Sequence, residues 1–120
     1  MTKLECTHEQ EHEAAVQKAK ENALPLSDVE EVCQIFRLLS EPSRLKIVLA
    51  LMQGDMCVYH LLGICDSTKS ALSHQLRILK DNNIVKARRF GKNIEYSIAD
   101  MHVREIVEKG VAHLHCEKEN

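Results

Sequence analysis

The apolar residues of this chain change their period at Asn82-Asn83, and that change constrains the fold more than any other feature. Before it, Leu72, Leu76 and Leu79 recur at helical spacing; after it, Ile94, Tyr96 and Ile98 alternate with polar residues at the period of a strand. Ile84 to Arg89 offers an antiparallel partner and Phe90-Gly-Lys-Asn93 a turn, so a β-hairpin is predicted directly after a helix. That helix is expected to start behind a Thr68 cap and to run to about Asp81. Met56 to about Gly63 reads as a shorter helix, and Ile64 to Ser67 as the tight turn between the two. A short helix, a brief turn and a second helix with its polar residues outward make a helix-turn-helix.

The rest of the chain reads as helical. His8 to about Leu24 has a weak Val16, Ala19, Ala23 stripe and stops at Pro25. Ser27-Asp-Val-Glu30 has the form of a capping box opening a second helix to about Leu39. Ser40-Glu-Pro-Ser restarts the chain with Pro42 suited to a first turn, and Leu45, Val48, Leu49 and Met52 form an apolar face ended by Gly54. A last helix from about Met101 carries Val103, Val107, Gly110 and Leu114 at near-heptad spacing, which suits a dimer seam. The fold class is therefore mainly α with a small β-hairpin: residues 1–25 an arm and first helix, residues 26–120 one domain. A chain of 120 residues supports one core, and with aromatics at 3% that core must be Leu, Ile, Val and Ala.

Charge is distributed unevenly. Residues 67–96 carry seven basic side chains against two acidic ones, whereas residues 1–40 carry four against eight. A basic segment in an acidic chain suggests local contact with a polyanion. The helix "STKSALSHQLRILK" fits that partner, because Ser70, Ser73, His74, Gln75 and Arg77 lie away from the leucines and can meet base edges. Thr68 and Lys69 stand at its N-terminus, where phosphate binds well, and Arg88, Arg89 and Lys92 on the hairpin can reach the neighbouring backbone. Double-stranded DNA is the partner expected. The longest aliphatic run, Ile47 to Met52, is far short of the roughly 20 residues that span a bilayer, so no membrane is expected. The acidic N-terminus has no apolar stretch of the secretory kind, which predicts a cytoplasmic location and five reduced cysteines. Cys33 and Cys65 lack ligand neighbours and are expected in the core.

The run "SEPSRLKIVLAL…DMCVYHL…STKSALSHQLRILKDNNIVKARRFGKNIEYSIAD" resembles the ArsR/SmtB family of winged-helix metal-sensing repressors, from about Val29 to the C-terminus. The resemblance implies a winged helix-turn-helix, homodimeric through its N- and C-terminal helices. It also implies binding to an inverted-repeat operator without metal and release when metal binds.

Two clusters of metal-ligating residue types stand out. His102 and His113 are eleven residues apart, which places them on nearly one helical face but separates them by roughly 16 Å, whereas zinc to nitrogen is about 2 Å. One chain cannot bring both to one ion; two such helices packed antiparallel across a dimer axis can. Asp100 beside His102, and Cys116 three residues beyond His113, complete a four-ligand set of O, N, N and S donors. Asp100, His102 and His113 match the family's last-helix pattern. Cys116 departs from its usual last ligand, leaving His115 or Glu117 as substitutes. In the second cluster, Cys57 and His60 are expected as i,i+3 neighbours on one helix, in a C-V-Y-H run that resembles the family's C-V-C-D sensing site. Cys6, His8 and His12 could complete that site from the arm. The thiolate lost at Tyr59 and the acid replaced by His60 argue against a purely thiolate site for arsenic or another soft ion. Zinc is the expected inducer, with cadmium or cobalt as alternatives. A redox repressor using Cys6, Cys57 or Cys116 is the competing reading. An enzyme is not expected, since the chain has no H-E-x-x-H, nucleophile elbow or glycine-rich phosphate loop.

Overall fold

The computed structural model describes residues 9–119, with side chains to residue 116. The chain divides into two units between Cys33 and Gln34. In the first lies α1 (Glu9–Glu21), which has acidic residues in its first turn, basic ones in its last, and no buried residue. It stops at Glu21, short of the expected Leu24, where the Asn22 side-chain amide donates to the Lys18 carbonyl at 2.8 Å. Helix α2 (Leu26–Leu39) starts two residues earlier than a Ser27 cap would allow. The Pro25 carbonyl accepts from the N–H groups of Asp28 and Val29 at 3.0 and 3.1 Å, so Pro25 holds the cap position and Ser27 lies within the first turn.

The second unit contains the remaining elements: α3 (Pro42–Leu51), β1 (Met56–Cys57), α4 (Val58–Ile64), α5 (Lys69–Asp81), β2 (Val85–Phe90), β3 (Asn93–Ile98) and α6 (Met101–Glu119). Helix α5 packs on α3, α4 and β2, and its Leu72, Leu76 and Leu79 join Ile47, Val48, Leu51, Leu61, Ile84 and Val85 in one core. Val103 and Val107 bring α6 to the same cluster. Outside this core, Phe36 on α2 and Ile106, Val111 and Leu114 on α6 remain exposed.

The change of period is built as follows. The Asn82 side chain donates to the Ile78 carbonyl at 2.8 Å, and Asn83 takes a positive φ of 59°, a conformation that Asn tolerates better than most residues. The Ile84 N–H then closes on the Leu79 carbonyl at 2.9 Å, which ends the helix and aims the chain into β2. Antiparallel β2 and β3 pair from Val85↔Ile98 to Phe90↔Asn93, leaving Gly91-Lys92 as the loop. Gly91 has φ 63°, which glycine adopts without steric cost.

Three core and strand expectations are corrected. Met56 and Cys57 are not helical but form β1, which pairs with β3 through Met56↔Tyr96 and Cys57↔Glu95. A two-residue strand has no period of its own; its partner lies some 40 residues downstream. On α3 the buried face is Ile47, Val48, Ala50 and Leu51, while Leu49 is exposed, because a helix apolar nearly all round leaves its inner face unmarked in sequence. Cys65 is buried as expected, with its thiol pushed up by that burial, but Cys33 is exposed.

Glu41 caps α3, its carboxylate accepting from the Arg44 N–H at 3.1 Å. Backbone N–H donation from Ser43, aided by Arg44, holds its carboxyl below the ordinary value of 4.5. A carboxyl depressed on folding adds stability above its unfolded pKa and loses it as pH falls through the folded value. Glu41→Gln is therefore expected to flatten the fall in thermal midpoint below about pH 4.5, measured by circular dichroism; an unchanged acid limb would remove this role.

Candidate nucleic-acid interface and metal-ligand clusters

Thr68 sets the start of α5, its hydroxyl accepting from the Ala71 N–H at 3.1 Å. With the leucines buried, Ser70, Ser73, His74 and Arg77 all fall on the exposed side, at positions i, i+3, i+4 and i+7, and line one open groove of about 530 Å³. Lys69 is exposed at the first helical position. Gln75 is placed differently from the expectation. It is half-buried, and its Oε1 accepts from Arg44 Nη1 at 3.4 Å, while Arg44 Nε donates to the Leu38 carbonyl at 3.0 Å. Arg44 thus ties the end of α2 to the middle of α5. It went unnoticed in the sequence because Gln75 lies 31 residues away.

The hairpin carries Arg88, Arg89 and Lys92, all exposed. Arg88 stacks over the Phe90 ring at 5.6 Å and lies 3.9 Å from its cross-strand partner Glu95, which places its guanidinium on one face of the hairpin. Its charge is partly answered within the chain.

At the base of α6, Asp100 accepts from the Val103 N–H at 3.1 Å, and the same oxygen lies 3.7 Å from His102 Nδ1. The Val103 N–H, with His102 and Lys86 nearby, holds the Asp100 carboxyl below its usual range. It is therefore ionised at neutral pH, as a ligand must be. His113 and Cys116 are exposed further along α6, which is unbroken from Met101 to Glu119. The sequence estimate of roughly 16 Å between His102 and His113 therefore applies. Among the described residues no group of three or more His, Cys, Asp or Glu side chains within one chain could hold a metal. Asp100 and His102 bring one O and one N donor of metal-ligating type together at the start of α6. His115 is also exposed, and the Glu117 side chain lies outside the described residues.

Cys57 and His60 are brought together, with Sγ and Nδ1 3.4 Å apart. Cys57, however, ends β1 and occupies the cap position of α4 rather than sharing the helix with His60. Cys6 and His8 lie outside the described residues; His12 is exposed on α1. Tyr59, between Cys57 and His60 in sequence, is 81% exposed.

A second helix of a helix-turn-helix, packed on the core and followed by a β-hairpin, defines a winged helix-turn-helix DNA-binding protein. Residues 41–87 match the family described as bacterial regulatory protein, arsR family. A Staphylococcus aureus protein named as a homologue of the cadmium resistance transcriptional regulatory protein CadC is 38% identical, over 94% of this chain and 93% of its own length. A Synechocystis homologue of the transcriptional repressor SmtB is 36% identical, over 86% of this chain and 78% of its own. The solution structure of a homodimeric winged helix-turn-helix DNA-binding domain from Mycobacterium bovis superposes with a TM-score of 0.70 at 25% identity, covering 81% of this chain and 94% of that one. The chain belongs to the arsR family of bacterial transcriptional regulators. The fold and family expected from sequence hold, and the family is one of DNA-binding regulators rather than enzymes. Among the described residues no helix is long and apolar enough to cross a membrane.

Proposed function

We propose that the protein is a metal-responsive repressor: a homodimer that binds an inverted-repeat operator without metal and leaves it when zinc, or alternatively cadmium or cobalt, binds. The observation that carries this reading is the division of ligand types along α6, half a site at Asp100 and His102 and the complementary half at His113 and Cys116. Exposed Ile106, Val111 and Leu114 on α6, with Phe36 on α2, offer apolar surface for pairing through these helices, and the homodimeric relative supports such pairing. The names of the CadC and SmtB homologues support a metal over an oxidant as the signal and repression as the output.

In this reading Ser70, Ser73, His74 and Arg77 face base edges, while Thr68, Lys69, Arg88, Arg89 and Lys92 face phosphates. Gln75 acts through Arg44 to hold the angle of α5. The ion is held by Asp100 and His102 of one subunit with His113 and Cys116 of the other, His115 or Glu117 being alternatives to Cys116. Such a closed set supplies charge and geometry but no open coordination position. Cys57 and His60, with Cys6, His8 and His12 as further donors, form the second candidate. Residues 26–120 make the DNA-binding and dimerising body, with residues 1–25 as an arm, and the protein works in the cytoplasm.

Release requires the ion to favour one dimer geometry over another, since a ligand of equal affinity for both states shifts nothing. Clearing an operator from mostly bound to mostly free needs about 5.5 kcal/mol of such preference. The test is fluorescence anisotropy on an operator selected from random duplexes by the metal-free protein, at fixed salt because phosphate-driven affinity is salt-dependent. Zinc is expected to release the protein. Release by peroxide with zinc inert would assign the response to cysteine thiols instead.

A further inference from the structure

We propose that the groove between α4, the start of α5 and the hairpin loop holds one phosphate and the adjoining sugar of the DNA backbone, with Tyr59 as its wall. This deepens the DNA-binding reading and rests on it. Tyr59 is the most exposed of the large apolar residues described, at 81%, and its ring is braced edge-on against His60 with centroids 6.0 Å apart. Leaving such a ring in water forgoes burial that a sugar could supply.

The groove, of about 390 Å³, brings together Tyr59 of α4, Lys69 and Ser73 of α5, and Lys92 and Ile94 of the hairpin, and among the described residues no carboxylate lines it. Its chemistry is two-sided: ammonium groups from two different elements for an anion, and an apolar wall of Tyr59, Leu62 and Ile94 for an uncharged neighbour. The start of α5 adds free donors. Thr68 takes the Ala71 N–H through its hydroxyl and the Leu72 N–H through its carbonyl, leaving the first two N–H groups of the helix toward an anion. The occupant is a polymer rather than a free anion because the groove continues into the base-facing one: Ser73 and Tyr96 line both. A strand crossing the outer face of α5 passes through it. The phosphate sits between Lys69 and Lys92, and the deoxyribose packs on Tyr59.

Backbone contacts need no particular sequence, so a short duplex of random sequence is the probe, with affinity followed against salt. Tyr59→Ala is expected to weaken binding several-fold without changing the salt slope, and Tyr59→Phe to keep wild-type affinity. Because one phosphate is shared, Lys69→Gln with Lys92→Gln should flatten the slope by about 0.9, the value for one phosphate, and either single change by less. All three side chains are exposed, so thermal midpoints should stay at the wild-type value. A Tyr59→Ala protein that binds like wild type, or a double-lysine slope loss of about 1.8, would overturn the shared slot while leaving DNA binding intact. Failure of the wild-type protein to bind the duplex would overturn both readings.

Discussion

Truncating Leu76 to alanine is expected to cost about 2–5 kcal/mol of folding stability, a large part of the roughly 5–15 kcal/mol that holds a domain of this size together. Leu76 is 0% exposed, at the centre of the face that α5 turns toward α3, α4 and β2. The aliphatic core has few large rings to collapse into the gap: Phe36 and Phe90 are both exposed, and the chain has no Trp. Both the lost transfer free energy and the residual cavity should therefore register. At about 4–8 °C per kcal/mol for a small domain, the thermal midpoint should fall by at least about 8 °C in circular dichroism. Ser70→Ala, six residues away on the exposed face of the same helix, should move it by less than about 0.5 kcal/mol equivalent. Equal effects of the two changes would mean that α5 is not anchored by its leucine face. The contrast separates packing from reading on a single helix, so a DNA-binding defect at Ser70 can be assigned to contact and one at Leu76 to folding.

What could be read from sequence was what repeats locally. Leu72, Leu76 and Leu79 marked the buried face of α5, and Ile94, Tyr96 and Ile98 marked a strand, because each set spans enough residues for its period to show. Thr68 was legible as a cap since its partner is three residues away. What escaped was set by distant partners. β1 exists because Met56 and Cys57 meet β3, and Gln75 turns inward because Arg44 lies beneath it. Cys57 and His60 come together as their spacing implied, yet across a strand end and a helix start rather than along a helix face. Ser27 failed as a cap because the helix begins before it, the Pro25 carbonyl accepting from Asp28 and Val29 and leaving Ser27 inside the first turn. For α6 the residue types were visible and the spacing showed that one chain cannot unite them; the partner that would do so is by nature absent from the sequence of one chain.

That last point yields the second large effect. Neither His102→Ala nor His113→Ala protein is expected to leave the operator in zinc, yet a mixture of the two should regain a zinc response. Each homodimer lacks one ligand in both of its proposed shared sites. In a mixed dimer the two lesions fall in the same site, and the other site pairs an intact His102 with an intact His113. Such complementation follows from the continuity of α6, which keeps the two histidines roughly 16 Å apart against a bond of about 2 Å. The single variants should bind operator as well as wild type without zinc, because both histidines belong to α6 and neither is on α5 or the hairpin strands. The recovered response should be partial, since one site supplies only part of the differential affinity that two supply. Anisotropy on the operator after subunit exchange gives the readout. Absence of recovery in the mixture would break the inter-subunit assignment. Full zinc release by either variant alone would place sensing at Cys57 and His60, where a Cys57→Ser change should then abolish it.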